Sequence, residues 1–364
     1  VTCVDRKDKR GVLMKQKALK NVLIRGIQCA VPRKIVKNDY FTSFFSNEEI
    51  EKSSSMTGVK SRRFADKNIC TSDLCVSAAR KVMYDLGWDP STIDGIFFVT
   101  QTPDYRLPAT SCSIQEKLGL STECAAFDVN LGCSGYVYGL WLAANLMATG
   151  CMKRVLLLAG DTISKAVSPK DRSTMLLFGD AGSATALEFD ENAPEMAFVL
   201  GTDGRGKENL IIPAGGFREQ SSAETVVRCN GENDFRSRED LFMDGGEIFN
   251  FTIQRVPPLV KILLQETKKE TSDVDFVVFH QANEFIMKHL AKKLKLNPNQ
   301  APSSIGHYGN TSSASIPLTI ASELAQTLGN ESKTVALVGF GVGYSWGGAM
   351  VELGPLASIG VLEV

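Results

Sequence analysis

The second half of the chain repeats the order of elements found in the first half. A buried strand over 94–100 is followed, after some thirty residues, by Gly-Cys-Ser-Gly (132–135), which opens an apolar helix. A strand over 274–280 is likewise followed by Gly-Asn-Thr-Ser-Ser-Ala-Ser-Ile-Pro (309–317), which opens another apolar helix. Two further strands complete each half, at 153–160 and 178–187 and at 333–341 and 344–353. Such a repeat restricts the chain to folds built from two similar units.

The strands are continuous runs of Val, Ile, Leu and Phe without polar alternation, which indicates sheets covered on both faces. Strands interleaved with helices predict a layered α/β architecture. We place one half at 14–190 and the other at 191–364. The chain opens without Met and Met14 could serve as a start, so we interpret residues 1–13 as an N-terminal extension.

Composition excludes several classes of function. The 40 basic and 41 acidic residues nearly balance, so no overall charge favours nucleic acid or a membrane surface. The nine cysteines form no Cys-x-x-Cys pair or His/Cys cluster, which argues against a metal site and favours a reducing, cytoplasmic setting. No uninterrupted apolar run is long enough to span a bilayer, and the basic first twenty residues argue against a secretory signal.

Cys133 is the leading candidate nucleophile. It follows an apolar strand-like run, and we expect it in the first turn of the helix that follows. Unpaired backbone N–H groups and the helix dipole would there favour thiolate over thiol. The alternative is a buried structural cysteine, the usual state of a free thiol.

His280 and Asn310 occupy related places in the second half. His280 ends the strand that matches 94–100, and Asn310 matches Cys133 at the start of a helix. Active sites of α/β folds collect at the carboxyl ends of strands and the amino ends of helices, so the three side chains can converge between the halves. The alternatives are a core histidine for His280 and a helix N-cap for Asn310. Of the other histidines, His289 is expected on a helix surface and His307 in a turn.

Two further segments have both structural and functional interpretations. The glycine turn over 340–347 could be a tight hairpin, or could bring backbone N–H groups to a substrate oxygen as half of an oxyanion hole.

A helix near 284–295 has an apolar face and a lysine-bearing face. The lysine face could be plain solvated surface or a dock for an acidic carrier protein.

Taken together, these segments resemble β-ketoacyl-acyl-carrier-protein synthase III, a condensing enzyme of the thiolase fold. The resemblance runs from about residue 20 to the C-terminus and rests on 132–140, 280–283, 308–317 and 339–347. It implies a thiolase-like five-layer α-β-α-β-α fold of two duplicated halves, a homodimer, and a Cys-His-Asn triad of Cys133, His280 and Asn310.

The implied reaction is a two-stage condensation without a metal or organic cofactor. Cys133 takes the acyl group from a thioester of coenzyme A or acyl-carrier protein, and the N–H groups of Cys133 and Val342 hold the oxyanion. A malonyl-acyl-carrier protein then binds, and His280 and Asn310 stabilise the enolate formed when carbon dioxide leaves. The enolate attacks the acyl-cysteine.

The resemblance also assigns substrate contacts, with departures from the family pattern. Arg172 matches a coenzyme A contact, but Lys52 and Met56 stand where a Trp and an Arg are common. These replacements place coenzyme A as donor in question. Phe285 replaces a basic residue after the His-Gln-Ala-Asn motif.

The remaining assignments concern the carrier dock and the acyl site. Lys292 and Lys293 keep part of the carrier dock. Phe340 is assigned to the substrate site, and Leu107 matches a residue that the partner subunit adds to the acyl pocket. Leu107 and the insert-like stretch 201–245 suggest an altered acyl specificity.

Two other functions stay open at the level of sequence. One is acyl transfer to an alcohol or amine, which retention of both His280 and Asn310 disfavours. The other is a non-catalytic partner subunit, which retention of Cys133 disfavours.

Overall fold

The computed structural model describes residues 14–227 and 236–364, so the extension predicted over 1–13 and part of the stretch 201–245 lie outside the described residues. The strands are β1 (Met14–Leu19), β2 (Val22–Val31), β3 (Ile35–Lys37), β4 (Ser61–Arg63), β5 (Gly95–Val99), β6 (Ala125–Val129), β7 (Arg154–Asp161), β8 (Ala181–Phe189), β9 (Met196–Thr202), β10 (Leu210–Ile211), β11 (Phe242–Met243), β12 (Phe276–Phe279), β13 (Lys333–Gly341), β14 (Ser345–Leu353) and β15 (Ser358–Glu363). The helices are α1 (Asn47–Thr57), α2 (Thr71–Leu86), α3 (Thr110–Leu118), α4 (Gly135–Met147), α5 (Arg172–Met175), α6 (Gly245–Thr267), α7 (Glu284–Leu294), α8 (Ile305–Tyr308), α9 (Ser315–Glu323) and α10 (Ala325–Leu328).

Two large sheets organise these elements. One has the order β15-β2-β8-β7-β5-β6 and the other the order β1-β9-β14-β13-β12. Each sheet takes one edge strand from the far end of the chain. The N-terminal β1 pairs with β9, and the C-terminal β15 pairs with β2.

Helices cover both faces of each sheet. Helices α4 and α9 lie between the sheets and contact both, α2 and α3 cover the outer face of the six-stranded sheet, and α6 covers the outer face of the other with α7 against it. The layered α/β architecture predicted from the strands, and the five α-β-α-β-α layers implied by the family resemblance, are therefore confirmed. Helix α4 can be apolar on nearly all sides because a sheet lies on either side of it.

The two halves differ in how their last strands are joined. Strands β13 and β14 form a tight hairpin that pairs Gly341 with Ser345. Strands β7 and β8 are separated by residues 162–180, which include the short helix α5. In the described residues, no helix is long and apolar enough to cross a membrane.

Candidate active site

A small internal cavity lies where the two halves meet. Its volume is about 50 Å³, and its walls include Cys133, His280, Asn310, Phe340 and Gly341. A larger cavity of about 440 Å³ lies outside it. The two cavities share five wall residues, which are Leu177, Met243, Gly245, Asn283 and Ile286. The two cavities are therefore neighbours, separated by these shared side chains.

Cys133 lies in the loop between β6 and α4, with its side chain almost fully buried. Ser134 is the N-cap of α4, so Cys133 precedes the helix and is not part of its first turn. That detail of the sequence prediction was wrong, because the chain turns through Gly132 and Cys133 before the helix begins. Gly135 N–H is already bonded to the Gly132 carbonyl at 2.7 Å.

Burial controls the protonation of the Cys133 thiol. Two effects raise the pKa of Cys133 to about 12. The larger is the loss of solvent on burial, and the smaller is the nearby Asp161 carboxylate. Hydrogen bonds from the Ser312 hydroxyl and from the backbone N–H groups of Val342 and Cys133 act in the opposite direction. The helix end was expected to make the resting cysteine a thiolate, and this expectation is not met. The favourable contacts lower the pKa by less than burial raises it.

The glycine turn after β13 packs directly on the cysteine. A Cβ on Gly341 would lie 2.7 Å from the Cys133 Cβ and 3.0 Å from its sulfur, so only glycine fits there. The Ser134 and Ser345 hydroxyls are 2.6 Å apart, and Ser345 also donates to the Val342 carbonyl at 2.8 Å. The turn is a tight hairpin, and it also brings the Val342 N–H to the sulfur.

His280 follows β12 and is buried against the cavity. Its backbone N–H donates to the Val338 carbonyl at 2.8 Å, and its Nδ1 is 2.7 Å from the Ser315 hydroxyl. Burial lowers the pKa of His280 to about 3, so the ring is neutral at physiological pH. The ring of Phe340 meets the imidazole edge-on, with centroids 5.5 Å apart.

The Asn310 carboxamide is held at both ends. Its Oδ1 accepts from the Ser312 N–H at 2.9 Å, and its Nδ2 donates to the Ala282 carbonyl at 3.4 Å. The second Nδ2 hydrogen remains for the cavity. Asn310 is not the N-cap of α9, whose cap is Ala314, because a 3-10 turn over Ser312–Ala314 intervenes.

Of the predicted substrate residues, Arg172 lines the outer cavity and Phe340 lines the inner one. Lys52, Met56 and Phe285, which depart from the family pattern, also line the outer cavity. The Arg172 guanidinium is not free, since its Nη1 is 2.8 Å from Glu49 Oε1.

The other predicted contacts lie farther out. Lys292 and Lys293 are exposed in the last turn of α7, and the Lys293 ammonium donates to the Ile253 carbonyl at 3.2 Å. Leu107 does not line either of these cavities of its own chain, and 78% of its surface is exposed.

Two residues near the triad were missed by the sequence reasoning. The Ser312 N–H donates to Asn310 Oδ1 at 2.9 Å, and Ser312 also lowers the pKa of Cys133 and raises that of His280. Asp161 is a fully buried carboxylate at the end of β7. An ionisable residue at the end of an apolar strand was the signal that selected His280, and the same signal could have selected Asp161. No group of three or more His, Cys, Asp or Glu side chains in the described part of the chain is arranged to hold a metal ion.

Comparison with known proteins gives the family. Residues 127–204 match the 3-oxoacyl-[acyl-carrier-protein] synthase III model, and residues 264–353 match the model of its C-terminal part. A β-ketoacyl-[acyl-carrier-protein] synthase III of Natranaerobius thermophilus is 36% identical over 85% of this chain and 95% of that protein. The chain belongs to the β-ketoacyl-acyl-carrier-protein synthase III family.

Solved structures of this family share the fold. A 3-oxoacyl-(acyl-carrier protein) synthase from Burkholderia xenovorans superposes with a TM-score of 0.91 at 47% identity, over 97% of this chain and 99% of that one. The priming β-ketosynthase of the R1128 polyketide pathway superposes with a TM-score of 0.80 at 26% identity, over 92% of this chain and 97% of that one. The thiolase-like fold and the synthase family predicted from sequence are both confirmed.

Proposed function

We propose that this synthase III family member joins a cysteine-bound acyl group to a malonyl thioester with loss of carbon dioxide. The observation that carries the proposal is the shared cavity wall of Cys133, His280 and Asn310. A condensing enzyme needs a nucleophile and an enolate-stabilising pair at one point, and these residue types supply both. The whole reaction is a condensation, and only its first half is an acyl transfer, from the donor thioester to Cys133.

In the first half-reaction, Cys133 attacks the acyl thioester and displaces the carrier thiol. The N–H groups of Cys133 and Val342, which are directed toward the sulfur in the resting enzyme, would then hold the oxygen of the tetrahedral intermediate. Both are backbone donors in a rigid loop and hairpin, so little reorganisation is needed when charge develops.

In the second half-reaction, the malonyl carbonyl oxygen receives hydrogen bonds from Asn310 Nδ2 and from His280. Because Nδ1 of His280 faces Ser315, the other ring nitrogen, Nε2, is the one available to the substrate. A neutral imidazole donates from Nε2 when the Ser315 hydroxyl donates to Nδ1. The pair thereby stabilises the enolate that forms as carbon dioxide departs.

The acyl donor would be a thioester of coenzyme A or of acyl-carrier protein, and the extender would be malonyl-acyl-carrier protein. Lys292 and Lys293 provide exposed positive charge for an acidic carrier. We also propose a homodimer in which Leu107 of each chain meets the acyl site of the other. The cytoplasmic location inferred from the cysteines stays a prediction.

The other two functions considered from the sequence are not favoured. Acyl transfer to an alcohol or amine needs no enolate-stabilising pair, yet His280 and Asn310 both line the cavity. A non-catalytic subunit needs no nucleophile, yet Cys133 lines the same cavity as His280 and Asn310.

Separate measurement of the two half-reactions tests the proposal. We expect Cys133→Ala to abolish acyl loading, measured by intact mass after incubation with a panel of acyl thioesters. Asn310→Ala should keep loading but slow decarboxylation of malonyl-carrier protein by orders of magnitude, because one donor to the enolate is lost. Normal decarboxylation in Asn310→Ala, or no β-ketoacyl product from the unmodified protein, would contradict the proposal.

A further inference from the structure

The backbone of Asn310 is fixed independently of its side chain. The Asn310 N–H donates to the Leu177 carbonyl at 2.9 Å, and the Gly179 N–H donates to the Asn310 carbonyl at 3.0 Å. These two bonds hold the Asn310 main chain against the first half of the molecule. They do not fix the side-chain torsion angles, so the direction of the carboxamide depends on other contacts.

Ser312 sets the direction of the Asn310 carboxamide. The Ser312 N–H donates to Asn310 Oδ1 at 2.9 Å, whereas the bond from Nδ2 to the Ala282 carbonyl is longer, at 3.4 Å. The shorter bond has the usual length of a good N–H···O contact and is the stronger of the two. The proposed enolate role needs Nδ2 directed into the cavity, so it depends on the place of the Ser312 N–H, and this inference rests on the proposed function.

Ser312 has a backbone conformation that is uncommon for its residue type. Its φ is 51°, in the left-handed region that favours glycine. Such a conformation persists where surrounding contacts enforce it. The next residue supplies them, because the Ser313 N–H and hydroxyl both donate to Asp161 Oδ2, at 3.2 and 2.8 Å. The N–H groups on both sides of the Ser312 Cα are therefore held, one by Asn310 and the other by Asp161.

The two oxygens of Asp161 hold different segments of the chain. Asp161 is fully buried at the carboxyl end of β7. Its Oδ1 accepts from the segment that follows β5, through the Gln101 N–H at 2.7 Å and the Thr100 and Thr102 hydroxyls at 3.2 Å each. Its Oδ2 accepts from Ser313 in the second half. This arrangement suits a carboxylate, which accepts at both oxygens, whereas an amide accepts at only one position.

We propose that Asp161 is a positioning residue for the decarboxylation step and acts through the 3-10 turn over Ser312–Ala314. Its Oδ2 holds Ser313, and the bound Ser313 keeps Ser312 in the left-handed conformation. The Ser312 N–H then directs the Asn310 carboxamide so that Nδ2 faces the malonyl carbonyl oxygen. Asp161 does not itself touch the substrate, since it does not line the inner cavity.

Asp161→Asn tests the proposal with little change in shape. The amide oxygen can stay with the three donors that follow β5, which places the NH2 group opposite the Ser313 N–H, so that two donors face each other. We expect kcat for decarboxylation of malonyl-acyl-carrier protein to fall at least tenfold with KM within threefold, because Asn310 binds the developing enolate more strongly than the ground state. Single-turnover acyl loading, followed by intact mass, should not slow more than threefold, because that half-reaction does not use Asn310.

A double-mutant cycle separates positioning from a general loosening of the fold. If Asp161 acts only through Asn310, Asp161→Asn should slow the residual decarboxylation of Asn310→Ala by no more than twofold, because the carboxamide is already absent. A loosened fold would slow decarboxylation by the same factor in both backgrounds, and that result would overturn the proposal. Unchanged decarboxylation in Asp161→Asn would overturn it as well. Normal decarboxylation in Asn310→Ala alone would contradict the proposed function instead, so the two failures are distinguishable.

The matched control is Thr100→Val. Thr100 is buried and donates to the same carboxylate, but its loss removes a donor from Oδ1 and none from Oδ2. Decarboxylation should stay within threefold in this variant, and slowing equal to that of Asp161→Asn would contradict the proposal.

Ser313→Ala is the second variant and decides the question if Asp161→Asn does not fold. It removes the shorter of the two bonds to Oδ2 and keeps the N–H. We expect decarboxylation to slow at least threefold when Asn310 is present and less than twofold in Asn310→Ala. With Asp161→Asn unfolded, an unchanged rate in Ser313→Ala, or equal slowing in the two backgrounds, would overturn the positioning role.

Discussion

At the residue scale, the relative size of the effects on the pKa of Cys133 decides whether its thiol is protonated. A charge near a helix end is stabilised by about 0.3–1 kcal/mol, and up to ~2 kcal/mol in partly buried geometries. One pKa unit corresponds to about 1.4 kcal/mol, so a helix end lowers a thiol pKa by roughly one unit. Burial and Asp161 outweigh that effect, since they raise the pKa of Cys133 from 9.0 to about 12. The sequence correctly predicts that a helix end favours the thiolate, but it does not reveal how strongly burial raises the pKa.

The alkylation of Cys133 by iodoacetamide should therefore depend steeply on pH. Because the raised pKa lies above the whole range tested, the thiolate fraction grows about tenfold per unit from pH 7 to 9.5. Site-specific alkylation rates followed by peptide mass spectrometry should rise with that slope and show no plateau. The titratable neighbours are His280, neutral throughout, and Asp161. An unstructured cysteine peptide with both ends blocked, in the same buffers, should level off near the ordinary pKa of about 8.5. A plateau for Cys133 below pH 8 would mean that the helix end prevails.

At the element scale, the junction of α1 with α5 shapes the outer cavity. Helix α1 begins with a capping box in which the Ser46 N–H donates to Glu49 Oε2 at 2.9 Å. The other carboxylate oxygen of Glu49 binds Arg172, the first residue of α5. The guanidinium expected to meet coenzyme A phosphates is thus already paired with a residue that caps a neighbouring helix.

Freeing Arg172 should improve the use of coenzyme A thioesters. Glu49→Gln keeps an oxygen for the capping box but removes the charge that holds the guanidinium. The pair is exposed to solvent and exposed ion pairs are weak, so its loss should change binding only a few-fold. We expect the KM for an acyl-CoA to fall two- to fivefold at unchanged kcat in steady-state assays.

The matched control for Glu49→Gln is Glu48→Gln. Glu48 carries the same charge in the same turn of α1 but is exposed and does not line the cavity. Equal effects of the two variants, or no effect of Glu49→Gln, would show that Arg172 does not meet the phosphates.

At the scale of the whole molecule, the surface retains features that suit a second copy of the chain. The loop before α3 exposes Tyr105 and Leu107, and Arg106 of the same loop lies over the ring of exposed Phe217. Exposed apolar side chains that cluster in this way are typical of interaction sites. Strand β6, directly before the Cys133 loop, is an edge strand of its sheet.

Leu107→Asp should weaken self-association. Sedimentation velocity should show a dimer for the unmodified protein and a shift toward monomer for the variant, because a carboxylate would be buried in the interface. Tyr84→Asp is the control, since Tyr84 is 83% exposed on the outer helix α2. A monomeric unmodified protein, or equal effects of both variants, would contradict the proposed homodimer.

Much of the fold and part of the site could be predicted from the sequence. The repeated order of strands and helices, with continuous apolar runs, required two covered sheets, because such runs cannot face water. The same repeat placed Cys133, His280 and Asn310 at the ends of elements that meet. The helix predicted near 284–295 is α7, with Ile286, Leu290 and Leu294 buried.

Tertiary structure alone decided the electrostatics of the site and its inner contacts. The protonation of Cys133 depends on how completely distant segments exclude water, which no local pattern encodes. Ser313 and Asp161 lie 152 positions apart in the sequence, and the 2.8 Å hydrogen bond between their side chains depends on how the two halves dock. Which elements form, and which side chains end them, can be predicted from the sequence because both follow from local pattern. The distances between them, and hence the protonation states, follow only from packing.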